Sequence, residues 1–246
     1  MKHALFHFHE DLNDFMPSEK KDIRFPITFR GPQSVKHLIE SLGVPHTEVG
    51  KIIINGTPLG FDYLVNDADT IDVFPLFYAN GDNSQLFQSF PAGERRFIID
   101  NHLGRLASYL RMWGVDCLYQ NDFQDEYLAE IASQGERILL TRDRRLLMRN
   151  AVIYGYWVRN KIPRYQLVEV VRRFALADNI IPFSRCIRCN GILRPVKKEE
   201  ILPRLLPLTK KYFDEFKICP QCQQIYWKGS HYERMSQLIE QVLSEV

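Results

Sequence analysis

Two Cys-x-x-Cys pairs constrain this chain more than any other feature of its sequence. They stand 29 residues apart and hold four of the five cysteines. Each pair can present two thiolates on one turn, and two such turns complete a tetrahedral zinc site with no open position. A redox role would require thioredoxin-like surroundings, which the sequence lacks. We therefore predict a structural zinc ion whose ligands are Cys186, Cys189, Cys219 and Cys222.

The spacing of the pairs also predicts an insertion. A simple zinc ribbon has roughly 15–20 residues between its pairs, so this one must accommodate extra chain, LRPVKKEEILPRLLPLTKKYFDEFK. Four metal-binding thiols and a lone Cys117, expected in the core, are typical of a reducing compartment. The N-terminus has no signal-like apolar segment, and no window approaches the roughly 18 apolar residues of a membrane span. We predict a cytoplasmic protein.

Charge is distributed unevenly along the chain. Residues 1–80 contain 7 basic and 11 acidic side chains. Residues 94–173 contain 14 basic and 10 acidic side chains, and residues 174–246 contain 11 and 8. A basic C-terminal two-thirds permits a polyanionic partner, while a solvated mixed surface explains the same counts.

The first 79 residues have the pattern of a small α+β domain. Ser34 is a suitable N-cap for a short amphipathic helix that Gly43 ends. An Asn-Gly pair, the strongest short hairpin signal, follows a strand. The predicted elements are the strands ALFHFH and PITFR, the helix SVKHLIESLG, and the strands KIIINGTPL and TIDVFPLF. This β-β-α-β-β order is that of a β-grasp fold.

The stretches SVKHLIESLGVP and IIINGTPLGFDYLVNDADTIDVFP resemble the ubiquitin-like domains related to the sulfur carriers of thiamin and molybdopterin synthesis. Those carriers end in a diglycine tail, whereas this chain continues through FPLFYANGDNSQ. The resemblance therefore implies a β-grasp fold without carrier chemistry. A docking role for a protein partner and a purely stabilising role both stay open.

Strands and helices alternate beyond a Gly-, Asn- and Ser-rich segment, and this alternation predicts βαβ units with a parallel sheet. RRFIID ends on Asp100, RILLTRD ends on Asp143, and DEYLAEIASQG opens with Asp125 and Glu126. In parallel sheets, ligands bind at the carboxyl ends of the strands. We therefore expect these carboxylates to converge on Mg²⁺ or Mn²⁺, although each one is also explained locally by turn formation or by the helix dipole.

Four further stretches, FIIDNHLGRLASYLRMWGVDCLY, DEYLAEIASQGERILLTRD, RCIRCNGILRPV and CPQCQQIYWKGSHYERM, resemble the PIN-fold ribonuclease domain of the Mut-seven C-terminal type. That resemblance implies metal-dependent cleavage of RNA. By this resemblance, the acidic positions of the family correspond to Asp100, Asp125 and Asp143, with Glu126 as neighbour or substitute. PIN nucleases commonly use four acids, and the candidate for the fourth position here is Asp122.

The predicted architecture has four segments. They are a β-grasp domain (1–79), a linker (80–94), an α/β PIN-like core (95–180), and a zinc ribbon with a C-terminal helix (181–246). We predict a ribonuclease; the alternative is a non-catalytic RNA- or ribosome-binding adaptor that keeps the zinc. Basic side chains near the acids are expected to bind phosphate through bidentate contacts. They are Arg105, Arg111, Arg142, Arg144 and Arg145.

Overall fold

We describe the protein from a computed structural model, which covers residues 1–76 and 95–246. The predicted linker, residues 80–94, lies outside the described residues. The described chain divides into two compact units. The first unit contains residues 1–76 and 125–157, and the second contains residues 95–124 and 158–246. Within the described ranges, no helix has both the length and the apolar character needed to cross a membrane.

The strands are short, and most of them lie where the sequence predicts. In chain order they are β1 (Lys2–Phe8), β2 (Phe25–Phe29), β3 (Val49–Ile54), β4 (Thr57–Pro58), β5 (Thr70–Pro75), β6 (Arg96–Ile99), β7 (Asp116–Leu118), β8 (Ile138–Thr141), β9 (Gly155–Trp157), β10 (Arg194–Val196), β11 (Phe216–Ile218) and β12 (Ile225–Trp227).

The helices follow the same order, and short 3₁₀ turns join several of them. They are α1 (Val35–Ser41), α2 (Gly104–Trp113), α3 (Asp125–Ser133), α4 (Arg144–Leu147), α5 (Pro163–Arg173), α6 (Lys198–Ile201), α7 (Pro207–Tyr212) and α8 (Ser230–Leu243). The predicted insertion between the cysteine pairs contains β10, α6, α7 and most of β11.

The first 76 residues form a mixed sheet in the order β2-β1-β5-β3-β4, in which β1 and β5 run parallel. This confirms the predicted β-β-α-β-β arrangement. The hydroxyl of Ser34 accepts the backbone N–H of His37 at 3.2 Å and caps α1 as expected. The Asn55-Gly56 turn has positive φ at both residues, 51° and 82°, which a tight hairpin requires.

The first unit also contains the segment from α3 to β9, which packs on the β-grasp residues. Strands β8 and β9 pair in parallel, as the alternation of strands and helices predicts. The buried carboxylate of Glu48 accepts the backbone N–H of Trp157 at 2.6 Å. The imidazole of His46 lies 3.0 Å from the carbonyl oxygen of Val152. These buried polar contacts tie the β-grasp sheet to β9 within one compact unit.

The second unit combines a parallel strand pair, β6 and β7, with α2, α5 and an antiparallel sheet β10-β11-β12. Helix α2 packs against α5 and ends at Gly114, whose φ is +94°. A Cβ atom at Gly114 would lie 2.4 Å from the carbonyl oxygen of Ile181. Only glycine therefore fits this helix end, because both the left-handed backbone and the close approach exclude a side chain.

Candidate functional site

The four predicted zinc ligands come together in the second unit. Their Sγ atoms all lie within 4.8 Å of one another. Cys186 and Cys222 are 3.5 Å apart, and Cys189 and Cys219 are 3.4 Å apart. A tetrahedral zinc ion with Zn–S distances near 2.3 Å needs sulfur atoms separated by about 3.8 Å. The donor set and its spacing therefore fit a Cys₄ zinc ion.

Both cysteine turns are built in the same way. The carbonyl of Cys186 accepts the N–H of Asn190 at 2.8 Å, and the carbonyl of Cys219 accepts the N–H of Gln223 at 2.9 Å. Asn190 and Gln223 both adopt left-handed backbone conformations, with φ of 70° and 59°. Two equivalent turns thus aim two thiols each at a common point.

The four thiols influence one another's pKa values. Burial acts to raise the pKa of Cys219, but the backbone N–H groups of Cys222 and Gln221 stabilise its thiolate and bring its pKa below the usual value. Burial raises the pKa of Cys189, and its sulfur neighbours add to that increase. Four adjacent thiolates need a dication to hold them together.

Arg111 has a different environment from the one the sequence led us to expect. It is buried, and its guanidinium donates to the carbonyl oxygens of Cys117, Tyr119, Ile187 and Arg188 at 2.9–3.2 Å. Burial lowers the pKa of this guanidinium. Arg111 therefore leaves the set of candidate RNA contacts, because its donors are used inside the protein. It connects α2 to the first cysteine turn instead.

Asp100 lies in the second unit, directly after β6, as predicted. Asp100 is only 3% exposed, and its backbone carbonyl accepts the N–H of Leu103 in the turn that follows. The side-chain oxygen of the adjacent Asn101 is buried and has no hydrogen-bond partner among the residues that the structure describes. The hydroxyl of Tyr119 donates to the backbone carbonyl of Asn101 at 3.1 Å. A buried amide oxygen with no partner among the described residues is a donor that suits a hard cation or a bound water.

Asn101 was not predicted as a functional residue. Its position immediately after the acid at a strand end is the one signal in the sequence that points to it.

The other acids lie in the first unit. Asp125 is the first residue of α3, and its carboxylate is 3.6 Å from the guanidinium of Arg149. The same guanidinium is 3.2 Å from Glu126. The backbone N–H of Glu126, followed by Arg149, holds the pKa of that carboxyl below its usual value. Asp125 and Glu126 are thus brought together around a cation that sequence reasoning missed.

Asp143 has a local structural role as well as its predicted place after β8. It is the N-cap of α4, and its carboxylate accepts the backbone N–H of Arg145 at 2.7 Å. The N–H of Asp143 in turn donates to the hydroxyl of Thr141 at 2.9 Å. Asp143 is an exposed residue, so its carboxylate can accept further hydrogen bonds from solvent. The short helix α4 was not predicted.

The remaining predicted arginines have varied surroundings. Arg105 and Arg145 are exposed, and the former also donates to the hydroxyl of Tyr109. The guanidinium of Arg144 lies 4.0 Å from the ring centre of Trp157, a cation–π contact. The carbonyl of Arg142 accepts the indole N–H of Trp157 at 3.2 Å.

Comparison with known families decides the assignment of the chain. The family model described as Mut7-C RNAse domain matches residues 95–239. This chain belongs to the Mut7-C RNAse domain family. A second model, described as Mut7-C ubiquitin, matches residues 1–80. The two resemblances inferred from the sequence are thereby confirmed. No curated protein and no solved structure matches the chain significantly.

Proposed function

We propose that this protein is a metal-dependent ribonuclease that hydrolyses RNA phosphodiester bonds. Membership of the Mut7-C RNAse domain family supports a nuclease-like protein. The observation that carries the proposal is the pair of buried oxygen donors after β6. Asp100 is a buried carboxylate at the carboxyl end of a parallel strand, and Asn101 adds a buried amide oxygen without a partner among the described residues. A buried amide oxygen without a protein partner is uncommon in folded proteins, and a bound cation or its water would satisfy it.

The proposed site uses Asp100, Asp125 and Asp143 to hold Mg²⁺ or Mn²⁺, with Glu126 as a neighbouring acid. Such an ion, when bound, activates water and neutralises charge on the phosphodiester. Each acid is positioned by its own element: the end of β6, the start of α3 and the cap of α4. The guanidinium of Arg149 lies 3.6 Å from the carboxylate of Asp125 and 3.2 Å from that of Glu126.

Phosphate binding is assigned to exposed basic side chains. Arg105 and Arg145 keep their guanidinium groups at the surface. Arginine binds phosphate oxygens through paired, charge-assisted hydrogen bonds. The RNA backbone is the polyanion that such side chains would hold beside the acids. The four cysteines would hold zinc in a structural role, since their thiolates fill all four positions.

The proposal is tested by cleavage assays on the full chain. Purified wild type, Asp100→Asn and Asp143→Asn would be incubated with Mn²⁺ and with single-stranded and structured RNAs. We expect wild-type cleavage that EDTA abolishes, and a loss of about 100-fold or more in each variant, because each removes a charged oxygen ligand. Asp62→Asn, at an exposed position of the β-grasp domain, is the matched control and should retain full activity.

A second function, a non-catalytic RNA-binding adaptor, is favoured by one observation. Arg149 already contacts both Asp125 and Glu126, so a cation of the protein itself occupies part of the acidic set. Metal-independent RNA binding by the wild type, with no cleavage of any RNA in the panel, would support the adaptor and refute the enzyme. Full activity in Asp100→Asn would refute the proposed ligand set.

A further inference from the structure

A second cluster of metal-ligating groups lies on the β-grasp sheet, apart from the cysteines. His7 is in β1, His9 follows the end of that strand, and Asp72 is in β5. Residues two apart along an extended chain point to the same side. The parallel register pairs His7 directly with Asp72. The sheet topology therefore brings two imidazoles and one carboxylate together.

The distances within this cluster are those of a coordination site. Nδ1 of His7 is 3.3 Å from Oδ1 of Asp72, and Nε2 of His9 is 3.0 Å from the same oxygen. One ligand atom from each of the three residues lies within 4.8 Å of the others. In a tetrahedral zinc site with bonds of about 2.1 Å, neighbouring ligand atoms are about 3.4 Å apart. The side chains are 22–25% exposed, so an ion can reach them from solvent.

The imidazoles are held ready for coordination. The ring of His9 stacks on Phe74 at 4.1 Å between ring centres, with an interplanar angle of 6°. The rings of His7 and His9 are 4.0 Å apart.

We propose that His7, His9 and Asp72 form a second metal site, which binds Zn²⁺ through three protein ligands and leaves a fourth position open. Two imidazoles and a carboxylate are a donor set that suits zinc, in contrast with the closed set of four thiolates. The site is independent of RNA cleavage, and its ligands all come from the β-grasp domain. The open position makes it the exchangeable site of the two.

Arg24 sets the strength of this site. Its guanidinium lies 2.7 Å and 2.9 Å from the two oxygens of Asp72. Arg24 therefore competes with a cation for the carboxylate, and it also places a positive charge beside the ion. We infer that Arg24 weakens zinc binding, so that its removal strengthens the site. A cluster that only fastens the strands together has no reason to respond in this way.

The experiment counts zinc ions on the full chain. The protein, with zinc at the four cysteines, would be titrated with Zn²⁺ by calorimetry, and Co²⁺ would be added separately to record its visible absorption. We expect one further equivalent in the wild type and none in His7→Ala or His9→Ala. Arg24→Gln should lower the dissociation constant about tenfold. His3→Ala, on the same strand and exposed, should bind like the wild type.

Two results would overturn the metal site. The first is a wild type that takes up no second equivalent, in calorimetry and in the cobalt spectrum alike. The second is equal binding by wild type and His9→Ala, which would mean adventitious attachment elsewhere. Thermal unfolding of every variant, recorded beside the titration, separates loss of a ligand from loss of the fold. RNA cleavage is not a readout, so failure of the proposed function leaves this test unaffected.

Discussion

The β-grasp region and the cysteine-rich region are of similar length but are stabilised by different means. One core cluster in the β-grasp region contains 18 buried apolar side chains, among them Phe6, Ile39 and Ile52. The cluster around β10, β11 and β12 contains five, among them Ile201 and Phe216. Small regions with little apolar burial usually need a metal or disulfides to stay folded. The comparison shows that apolar packing contributes more to the first region than to the second, and we propose that metal ligation stabilises the second.

The largest expected effect comes from removing one cysteine pair. Cys219→Ser with Cys222→Ser should eliminate the sulfur-bound zinc and unfold β10, β11 and β12, because structural zinc binding contributes about 10 kcal/mol or more to folding. Amide hydrogen exchange followed by mass spectrometry would show lost protection there and unchanged protection in β1 and β5. Cys117→Ala is the control and should keep the zinc. Preserved protection in a zinc-free double variant would refute the contrast between the regions.

An intermediate effect is expected from Arg111→Met. This change leaves the carbonyl oxygens of Cys117, Ile187 and Arg188 without their buried donor. We expect the free energy of unfolding of the second unit to fall by about 3 kcal/mol in urea titrations. Arg105→Met, an exposed position of the same helix, should change it by less than about 0.5 kcal/mol. Unchanged stability with weakened RNA binding would restore Arg111 as a phosphate contact.

The smallest effect tests the packing-dominated region alone. Ser34→Ala removes the hydroxyl that caps α1 and should cost about 1 kcal/mol of stability. Exchange of the α1 amides should accelerate, while the cysteine turns keep their zinc and their protection. The matched control is Ser41→Ala at the other end of the helix, which leaves the cap intact. A loss of zinc in Ser34→Ala would show that the two regions are not independent.

The features that the sequence predicts correctly depend on local chemistry. The spacing of the cysteine pairs fixes two turns, and the structure brings all four sulfur atoms together. Ser34, the Asn55-Gly56 turn and Gly114 are each where a cap or a positive φ demands that residue type. Alternation along β1 follows from a sheet with one buried face. Such signals lie within a few residues of one another.

The features that the sequence does not reveal depend on contacts between distant segments. An arginine within an amphipathic helix predicts a solvated charge, and only the tertiary fold directs Arg111 to the carbonyls near the cysteines. Likewise, Arg149 forms ion pairs with Asp125 and Glu126, which precede it by 24 and 23 residues in the sequence. Helix α4 is a single short turn with Asp143 as its cap, too brief to produce a periodic pattern. The joint metal site of the acids stays a prediction.

The bond between Glu48 and the amide of Trp157 has a consequence for how such proteins are inherited. The two family matches, 1–80 and 95–239, mark modules that genes can recombine, yet a compact unit crosses that boundary. A recombinant that joined this Mut7-C RNAse domain segment to a foreign ubiquitin-like domain would leave the Trp157 amide and the Val152 carbonyl without these hydrogen-bond partners. The two modules should therefore be inherited together. Substitutions at Glu48 or His46 should be accompanied by substitutions in the segment that leads to β9.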